Sequence, residues 1–412
     1  MGYTGFGGFA ARLDPRSASV SGPMLGCLFG TWLLSVVTQG YIIVPASVLP
    51  RIVADLSVSR ATAVWLISAT PGAWAATNFV VGFVLDRRGA VWLTTVATVV
   101  FVATSLVGWQ VATQGSFWAL LATRLVAGIT LGAIWTASAD VVGRTFESGN
   151  AGTALGIFTT SAPAGFALGQ VGTPAVADAA GWPAMFLVVA ALAVVAYVVF
   201  LLGVRNATVA TEAHDTTIRA DVTAVLGNRA VVAGCLLAFS AYSLYLFLNS
   251  WMPTYLQEQF GMTLQLSGLL AALFPAVGIV SRSGGGVLSD RVFARRRLPV
   301  LTLSFVVALP ALVLIAVLRR LLPLILVLVV AGAVIQLTFG VVYSYVREGV
   351  TPALSGTALS FLGTAGMAGA FSAPLVTGLL IDSTGAYAAA FGFAGVVAVG
   401  GLCLTRLAPE VN

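Results

Sequence analysis

The feature that most constrains this chain is a series of apolar runs, each long enough to cross a lipid bilayer, that together cover almost its whole length. A bilayer core about 30 Å thick needs about 20 apolar residues per helix. Twelve such runs can be read in the sequence, at residues 23–49, 60–85, 91–113, 116–143, 150–176, 183–204, 230–256, 263–289, 298–318, 322–347, 354–381 and 386–407. The chain is therefore predicted to be an integral membrane protein that crosses the bilayer twelve times.

The composition excludes a water-soluble chain and a disordered one. Of the 412 residues, 59% are hydrophobic and only 8% are charged, whereas soluble domains average about 25% charged residues and disordered chains need low hydrophobicity. The run from Leu322 shows no period-two alternation, which argues against the strands of a membrane barrel. Because backbone groups have no water partner in lipid, the runs are predicted to be helices and the fold class is all-α.

Side chains that could hold a metal or a cofactor are scarce. The single histidine, His214, lies in a polar segment, and the three cysteines lie in apolar runs, too few for a disulfide framework. No nucleophile stands beside a base, so we expect no cofactor, no metal and no enzymatic activity. The net charge of +6 is spread over short loops, so no nucleic-acid partner is expected.

The distribution of basic residues predicts the orientation. All 20 basic residues are arginines, and most of them fall in loops on one side of the predicted membrane. Cytoplasmic loops carry the excess of Lys and Arg. We therefore expect a multi-pass protein of the plasma (inner) membrane with both termini in the cytoplasm, and residues 1–22 are predicted to be a cytoplasmic tail.

The two halves of the chain are predicted to be copies of one unit. A shift of 204 residues places Asp86 on Asp290 and Asp178 on Asp382, and it superposes two identical Gly-Thr-Ala-Leu segments. The predicted domains are an N-terminal six-helix bundle at 23–204, a cytoplasmic linker at 205–229, a C-terminal six-helix bundle at 230–407 and a cytoplasmic tail at 408–412. Parallel repeats of this kind occur in secondary transporters, with the substrate site between the repeats near the midplane.

The motifs at the ends of the spans resemble those of the major facilitator superfamily. Residues 82–89 read Gly-Phe-Val-Leu-Asp-Arg-Arg-Gly, similar to the family signature G-x-x-x-D-R-x-G, and residues 286–291 repeat its first part. The fourth span carries Arg124 and Gly128, similar to the family's R-x-x-x-G motif. The resemblance covers essentially the full length. It implies two six-helix bundles, secondary transport by rocker-switch alternating access, and a monomer that works in the lipid bilayer on a small-molecule substrate.

The same resemblance implies gating contacts between the halves on the cytoplasmic side. Asp86 would contact the start of the eleventh span near Gly356, and Arg87 would reach Asp140. A carboxylate at the C-terminal end of a helix is locally unfavourable, so Asp86 needs an outside partner. In the second copy, the acids would face the start of the fifth span. The predicted gating residues are Gly82, Asp86, Arg87, Gly89, Asp140, Gly286, Asp290, Arg291 and Glu348.

Two arginines inside the spans, Arg124 and Arg282, are the strongest candidates for a substrate site, because a cation within the membrane is a functional hypothesis by default. All the acidic residues fall in loops, tails or the ends of spans. A cavity with two arginines and no carboxylate favours an anion. Neutral polar residues on the spans that line the cavity in this family complete the predicted substrate site: Gln39, Tyr41, Tyr242, Tyr245, Asn249, Gln336 and Tyr343.

The sequence predicts a transporter of a small organic or inorganic anion. Residues 281–291 resemble the eighth span of nitrate/nitrite and cyanate-type porters, in which the arginine binds an anion; the repeat places Asn78 opposite Arg282. The alternatives are a multidrug or cation:proton antiporter, a transporter of neutral solutes, and a non-transporting membrane sensor. Drug export predicts an acid at mid-membrane depth, which the sequence lacks. The coupling partner is left open between a proton and a counter-ion.

Overall fold

The computed structural model describes residues 21–146, 150–205, 207, 218–351 and 354–411, without the side chains of 218–221. Most of the predicted N-terminal tail therefore lies outside the described residues. The helices, in chain order, are α1 (Gly22–Ser47), α2 (Leu49–Leu56), α3 (Arg60–Ala63), α4 (Trp65–Arg88), α5 (Ala90–Thr113), α6 (Phe117–Thr145), α7 (Ala151–Thr159), α8 (Ser161–Ala180), α9 (Ala184–Arg205), α10 (Ile218–Gly227), α11 (Arg229–Phe260), α12 (Leu264–Ala276), α13 (Gly278–Arg291), α14 (Leu298–Val317), α15 (Leu321–Glu348), α16 (Ser355–Thr384) and α17 (Tyr387–Leu407).

The predicted all-helical membrane fold is confirmed. The edges of the twelve predicted spans differ from the observed helices by little more than one helical turn. Within the described part of the chain, 10 spans are long and apolar enough to cross a membrane by length and composition. The remaining two are the α3–α4 segment, which follows α2 after a bend of 111°, and the α7–α8 pair. Both contain proline and glycine and pack against the opposite half of the molecule.

Capping residues fix where several helices begin and end, and some caps follow the 204-residue repeat. The Asn228 side chain accepts hydrogen bonds from the first N–H groups of α11, which satisfies donors that lack an intrahelical partner. Gly181 ends α8 with φ of 79°, and Gly385 ends α16 with φ of 66°. A left-handed residue at this position favours glycine. The repeat is therefore visible in the backbone as well as in the sequence.

The helices form two groups that meet along two seams. Helices α1–α9 pack mainly on one another, and so do α11–α17. Between the groups, α4 packs along α16 and α8 packs along α12, with α1 facing α11. We call the side of the molecule that carries α10 the linker side, and the opposite side the far side. Helices α4, α13 and α15 all end on the linker side, at Arg88, Arg291 and Glu348.

Candidate functional site

A cavity of about 360 Å³ lies between the two groups of helices. From the first group it is lined by the rings of Trp74 and Trp135 and by the polar side chains of Gln39, Asn78 and Thr136. A larger cleft of about 570 Å³ lies on the outer surface between α14 and α17. That cleft touches only one group of helices, so the central cavity is the candidate site for a substrate.

The second group contributes the charged and phenolic side chains of the cavity. Tyr242, Tyr245, Arg282 and Tyr343 line it, together with Ser360. Most of these lining residues lie at mid-helix or nearer the linker-side ends of their helices; Tyr343, for example, lies one turn and a half before α15 ends at Glu348. The cavity therefore extends from the middle of the protein toward the linker side.

The Arg282 guanidinium is half-buried and uses only part of its hydrogen-bonding capacity within the described structure. Its Nε donates to Gln336 Oε1 at 3.2 Å. Its Cζ lies 4.6 Å from the centre of the Phe339 ring and 5.4 Å from that of Tyr245, which stabilises the cation without neutralising it. Among the described residues, the two terminal nitrogens have no hydrogen-bond partner. They are the donor pair that can bind a carboxylate or sulfonate in a fork geometry.

Gln336 holds Arg282 from behind rather than lining the cavity. Its amide nitrogen donates to the carbonyl oxygens of Phe274 and Gly332, at 3.0 and 3.2 Å. Gly278 has no side chain, and this leaves room for the Gln336 amide. A Cβ at residue 278 would lie 1.8 Å from Gln336 Oε1. The predicted substrate ligand Gln336 is thus placed one layer outside the cavity, as a residue that positions Arg282.

Asn78, which belongs to the first half of the molecule, lines the same cavity. Its amide nitrogen donates to the Ser360 carbonyl and to the Thr364 hydroxyl, both at 3.1 Å. A Cβ at Gly363 would lie 3.7 Å from the Tyr343 hydroxyl and 3.8 Å from the Asn78 amide nitrogen. The repeat therefore places a neutral amide in one half where the other half has the Arg282 cation.

Arg124 does not line the cavity, which corrects its predicted role as a substrate ligand. It is 0% exposed, and its guanidinium donates to three backbone carbonyls, those of Leu66, Tyr41 and Ile42, at 2.7, 2.9 and 2.9 Å. The face of the guanidinium lies 4.3 Å from the centre of the Tyr41 ring. Its three nitrogens are occupied, so Arg124 joins α1, α4 and α6 inside one half.

A proline explains one of these contacts. Residue 45 is Pro45, which has no N–H to offer the Tyr41 carbonyl inside α1. Arg124 satisfies this freed carbonyl. In the other half, Pro253 frees the Asn249 carbonyl, which lies 3.3 Å from the Gln170 amide nitrogen.

Two further predicted ligands lie outside the cavity. Tyr41 is buried between Phe101 and Phe186. The Asn249 side-chain oxygen accepts from Gln170 at 2.9 Å, so Asn249 joins α8 to α11 between the halves. The predicted residues that the structure brings together in the cavity are Gln39, Tyr242, Tyr245, Arg282 and Tyr343.

The first set of predicted gating residues makes no contact between the halves in the described structure. Asp86 is exposed and has no hydrogen bond or ion pair with any described residue. Arg87 lies over the Phe83 ring at 4.0 Å, and Asp140 pairs with Arg144 at 2.8 Å instead of with Arg87. A Cβ at Gly82 would meet nothing within 4 Å. The predicted contacts of Asp86 and Arg87 are therefore absent from this conformation, and Gly89 ends α4 with φ of 80°.

The second set is held by Arg297, which is not among the predicted gating residues. Arg297 bridges Asp290 at 2.6 Å and Glu348 at 2.7 Å. Hydrogen bonding to Glu348, and less strongly to Asp290, raises the pKa of Arg297 above its ordinary value. The predicted partner, Arg291, is exposed. These contacts stay inside the second half, so the expected contact with the start of α7 is corrected; Gly286 also faces open space.

The two halves are joined on the far side. Arg60 pairs with Glu258 at 2.8 Å, and the Ala61 N–H donates to Asp382 Oδ2 at 2.8 Å. The Tyr387 hydroxyl also donates to Glu258, at 2.9 Å. We call the Arg60–Glu258 and Ala61–Asp382 contacts the far-side latch. Between described residues, the hydrogen bonds and ion pairs that join the halves lie on the far side or no nearer the linker side than Asn78.

Comparison with known proteins gives a consistent family. The model of the family described as the Major Facilitator Superfamily matches residues 27–374. A hexuronate transporter of Bacillus subtilis (strain 168) is 27% identical over 373 residues, which are 85% of this chain and 86% of that protein. Similar solved structures include a bacterial homolog to the human lysosomal transporter Spinster, in an inward-facing and unoccupied conformation. It has a TM-score of 0.72 and 15% identity and covers 95% of each chain, a likeness that shows the fold alone.

Two shorter matches carry the names of other anion transporters. A probable sulfoacetate transporter, SauU, of Cupriavidus necator is 33% identical over 181 residues, 41% of this chain and 40% of that protein. A nitrite extrusion protein of Bacillus subtilis (strain 168) is 28% identical over 155 residues, 37% of this chain and 34% of that protein.

Proposed function

We propose that this chain, which belongs to the Major Facilitator Superfamily of membrane transporters, carries a small organic anion through the cavity that contains Arg282. The observation that carries the proposal is a half-buried guanidinium with two unoccupied nitrogens, in a cavity whose lining includes no carboxylate. Such a site has a positive potential and a donor geometry that suits a carboxylate or sulfonate. The family consists of transporters, so no enzymatic activity is proposed.

The other lining residues favour an organic anion over an inorganic ion. A volume of about 360 Å³ falls within the range of pockets for small organic molecules, about 300–1,000 Å³. Apolar surface from Trp74 and Trp135 lies opposite neutral hydrogen-bonding groups from Gln39, Asn78 and Tyr343. A carboxylate on Arg282 would leave a polar body to contact these groups. Relatives named for hexuronate and sulfoacetate support this class of substrate.

A thermal-stability screen tests this proposal. We expect glucuronate or sulfoacetate to raise the melting temperature of the detergent-solubilised protein, because a ligand at a hundred times its Kd contributes about 2.7 kcal/mol of stability. Nitrite should stabilise it less, since it cannot reach both sides of the cavity. Stabilisation by tetraphenylphosphonium and by none of the anions would overturn the proposal and favour the cation:proton antiporter.

The same geometry supports a proposal for the orientation and the mechanism. The exposed arginines of the linker side include Arg87, Arg88, Arg291 and Arg295, and this bias supports a cytoplasmic linker side. We propose a plasma-membrane protein with both termini in the cytoplasm, working as a monomer. The far-side latch is then extracellular, the described conformation is inward-facing, and alternation occurs by rocking the two halves about the cavity.

Breaking the far-side latch is expected to shift this protein toward an outward-open state. In the double variant Glu258→Gln, Asp382→Asn both carboxylates become neutral, which removes the Arg60–Glu258 ion pair and weakens the hydrogen bond from the Ala61 N–H; each exposed contact contributes about 0.2–1 kcal/mol. The two contacts together contribute about 0.4–2 kcal/mol, so the ratio of inward-open to outward-open protein should fall about two- to thirty-fold. Spin labels at Gln114 and Arg320, on the far side of the two halves, would report the change as a longer distance.

A matched control uses the ion pair between Arg51 and Asp178. This pair lies on the same side of the membrane, but both residues belong to the first half. Asp178→Asn should therefore leave the distance distribution as in the wild type. Equal shifts in the control and in the double variant would show that the latch does not hold the halves together.

A further inference from the structure

The cavity carries a positive charge that the protein does not cancel. Arg282 is the charged member of its lining, all of which the structure describes. The contacts of the guanidinium are with the neutral amide of Gln336 and with the neutral rings of Tyr245 and Phe339. The described part of the chain therefore leaves the cavity with a net charge of about +1 at neutral pH.

The carboxylates that could have cancelled this charge are engaged elsewhere. Every acid whose side chain the structure describes lies at or near a helix end, and all but Asp86 have a partner, as Glu258 has with Arg60 and Glu348 with Arg297. The other titratable groups that face Arg282 are the phenols of Tyr242, Tyr245 and Tyr343, and phenols are neutral around pH 7. None of these groups is suited to bind and release a proton around neutral pH, so none can couple transport to a proton gradient.

The charge matters most when the cavity is closed on both sides. In the inward-open and outward-open states, water reaches Arg282 and solvates it. During the passage between them, water is expelled, and an unpaired guanidinium in a closed cavity is expensive. A bound anion removes this cost because its charge cancels that of Arg282. Passage should therefore be fast for the loaded protein and slow for the empty one.

We infer that this protein is an anion exchanger that reorients efficiently only when Arg282 holds an anion, and that it is not driven by a proton gradient. This inference rests on the proposed function, because it requires an anion at Arg282. It concerns the return step of the cycle, which a proton symporter completes empty and an exchanger completes with a second anion.

Counterflow in proteoliposomes tests the exchange. Labelled glucuronate is supplied outside vesicles that contain either unlabelled glucuronate or only a chloride-free zwitterionic buffer. Uptake should be about ten-fold faster or more into the loaded vesicles, the effect of about 1.4 kcal/mol on the barrier. An inward proton gradient should leave uptake into the buffer-filled vesicles unchanged.

The outcomes separate this inference from the proposed function. Equal uptake into both kinds of vesicle, or accumulation driven by the proton gradient, would overturn the exchange mechanism while leaving anion transport intact. No uptake in any vesicle, together with no stabilisation by glucuronate, sulfoacetate or nitrite, would overturn the proposed function and the exchange mechanism with it.

A second measurement needs no substrate. Fluorophores at Gln114 and Arg320, in a background with the native cysteines replaced by serine, report single switching events of the empty protein. Arg282→Gln removes the charge and should shorten the dwell times about ten-fold. Arg282→Lys retains the charge and should switch as slowly as the wild type. Glucuronate should speed the wild type and leave Arg282→Gln unaffected.

The charge-retaining variant also controls for folding. If Arg282→Gln and Arg282→Lys switch at the same rate, the charge does not set the barrier and the inference is wrong. The same conclusion would follow if the empty wild-type protein already switched as fast as the protein saturated with glucuronate.

Discussion

Replacing Arg282 with glutamine is expected to lower anion affinity and uptake about thirty-fold or more while leaving the fold intact. Removing one partner of a desolvated charge pair costs about 2–5 kcal/mol, and the remaining lining residues are neutral. Arg282 is half-buried at the cavity surface, and its loss removes the donor of the Gln336 side-chain oxygen but of no backbone carbonyl. Isothermal titration with glucuronate and uptake into loaded vesicles would measure the two effects.

Two matched variants sharpen this test. Arg320→Gln removes an exposed arginine far from the cavity and should bind the anion as the wild type does. Gln336→Leu leaves the charge of Arg282 but removes the contact at 3.2 Å that orients it, so affinity should fall about ten-fold, as expected for one charge-assisted hydrogen bond. Wild-type affinity in Arg282→Gln would remove Arg282 from the binding site.

Replacing Arg124 with alanine is expected to have the largest effect on stability. Three carbonyls in the protein interior lose their donor, and the Tyr41 carbonyl has no helical donor to fall back on because residue 45 is proline. The vacated space adds a cavity term. We expect a loss of about 3–5 kcal/mol, measured as a lower melting temperature in detergent and a smaller yield of monodisperse protein.

Arg124→Lys should recover little of this loss, because a lysine cannot reach three carbonyls in the planar fork of a guanidinium. Arg87→Ala, at an exposed helix end, should melt as the wild type does. The sequence alone had indicated that Arg124 binds the substrate. A variant that melts normally but no longer binds glucuronate would restore that interpretation and place Arg124 in the binding site.

The sequence predicted the parts of this fold that depend on local pattern. Span positions follow from the length of the apolar runs, and the repeat follows from a constant offset that also reappears at Gly181 and Gly385. Arg282 could be found because a cation inside a span has few harmless explanations. The contacts of Arg282 with the Tyr245 and Phe339 rings could not be predicted, since the rotation of a membrane helix is set by its neighbours.

Arg124 shows where this reasoning stops. Arg124 and Arg282 each lie about two turns from one end of a span and look alike in sequence. In the structure Arg282 faces the cavity, whereas Arg124 faces three carbonyls in its own half. A signal was present in Pro45, which frees a carbonyl one turn earlier in α1, but the partner of that carbonyl depends on how α1 and α6 pack. Arg297 was missed for a similar reason: a loop with positive φ at Ala294 and Arg295 brings it back to Asp290.

Asn78 is the residue whose importance the repeat could have indicated more strongly. It occupies the position equivalent to Arg282, lines the same cavity, and donates across the boundary between the halves. Under the proposed function, the two positions together suit a substrate with one charged end and one neutral polar end. Neither residue alone carries that information.

The three acceptors of Arg124 also bear on how the chain enters the membrane. Tyr41, Ile42 and Leu66 precede Arg124 in the sequence, so during synthesis the helices that carry the carbonyls emerge from the ribosome before the helix that carries the cation. Their carbonyls are then available when α6 arrives, and the charge need not wait in lipid without a partner. In the reverse order, an isolated arginine would have to be held in the bilayer until two later helices reached it.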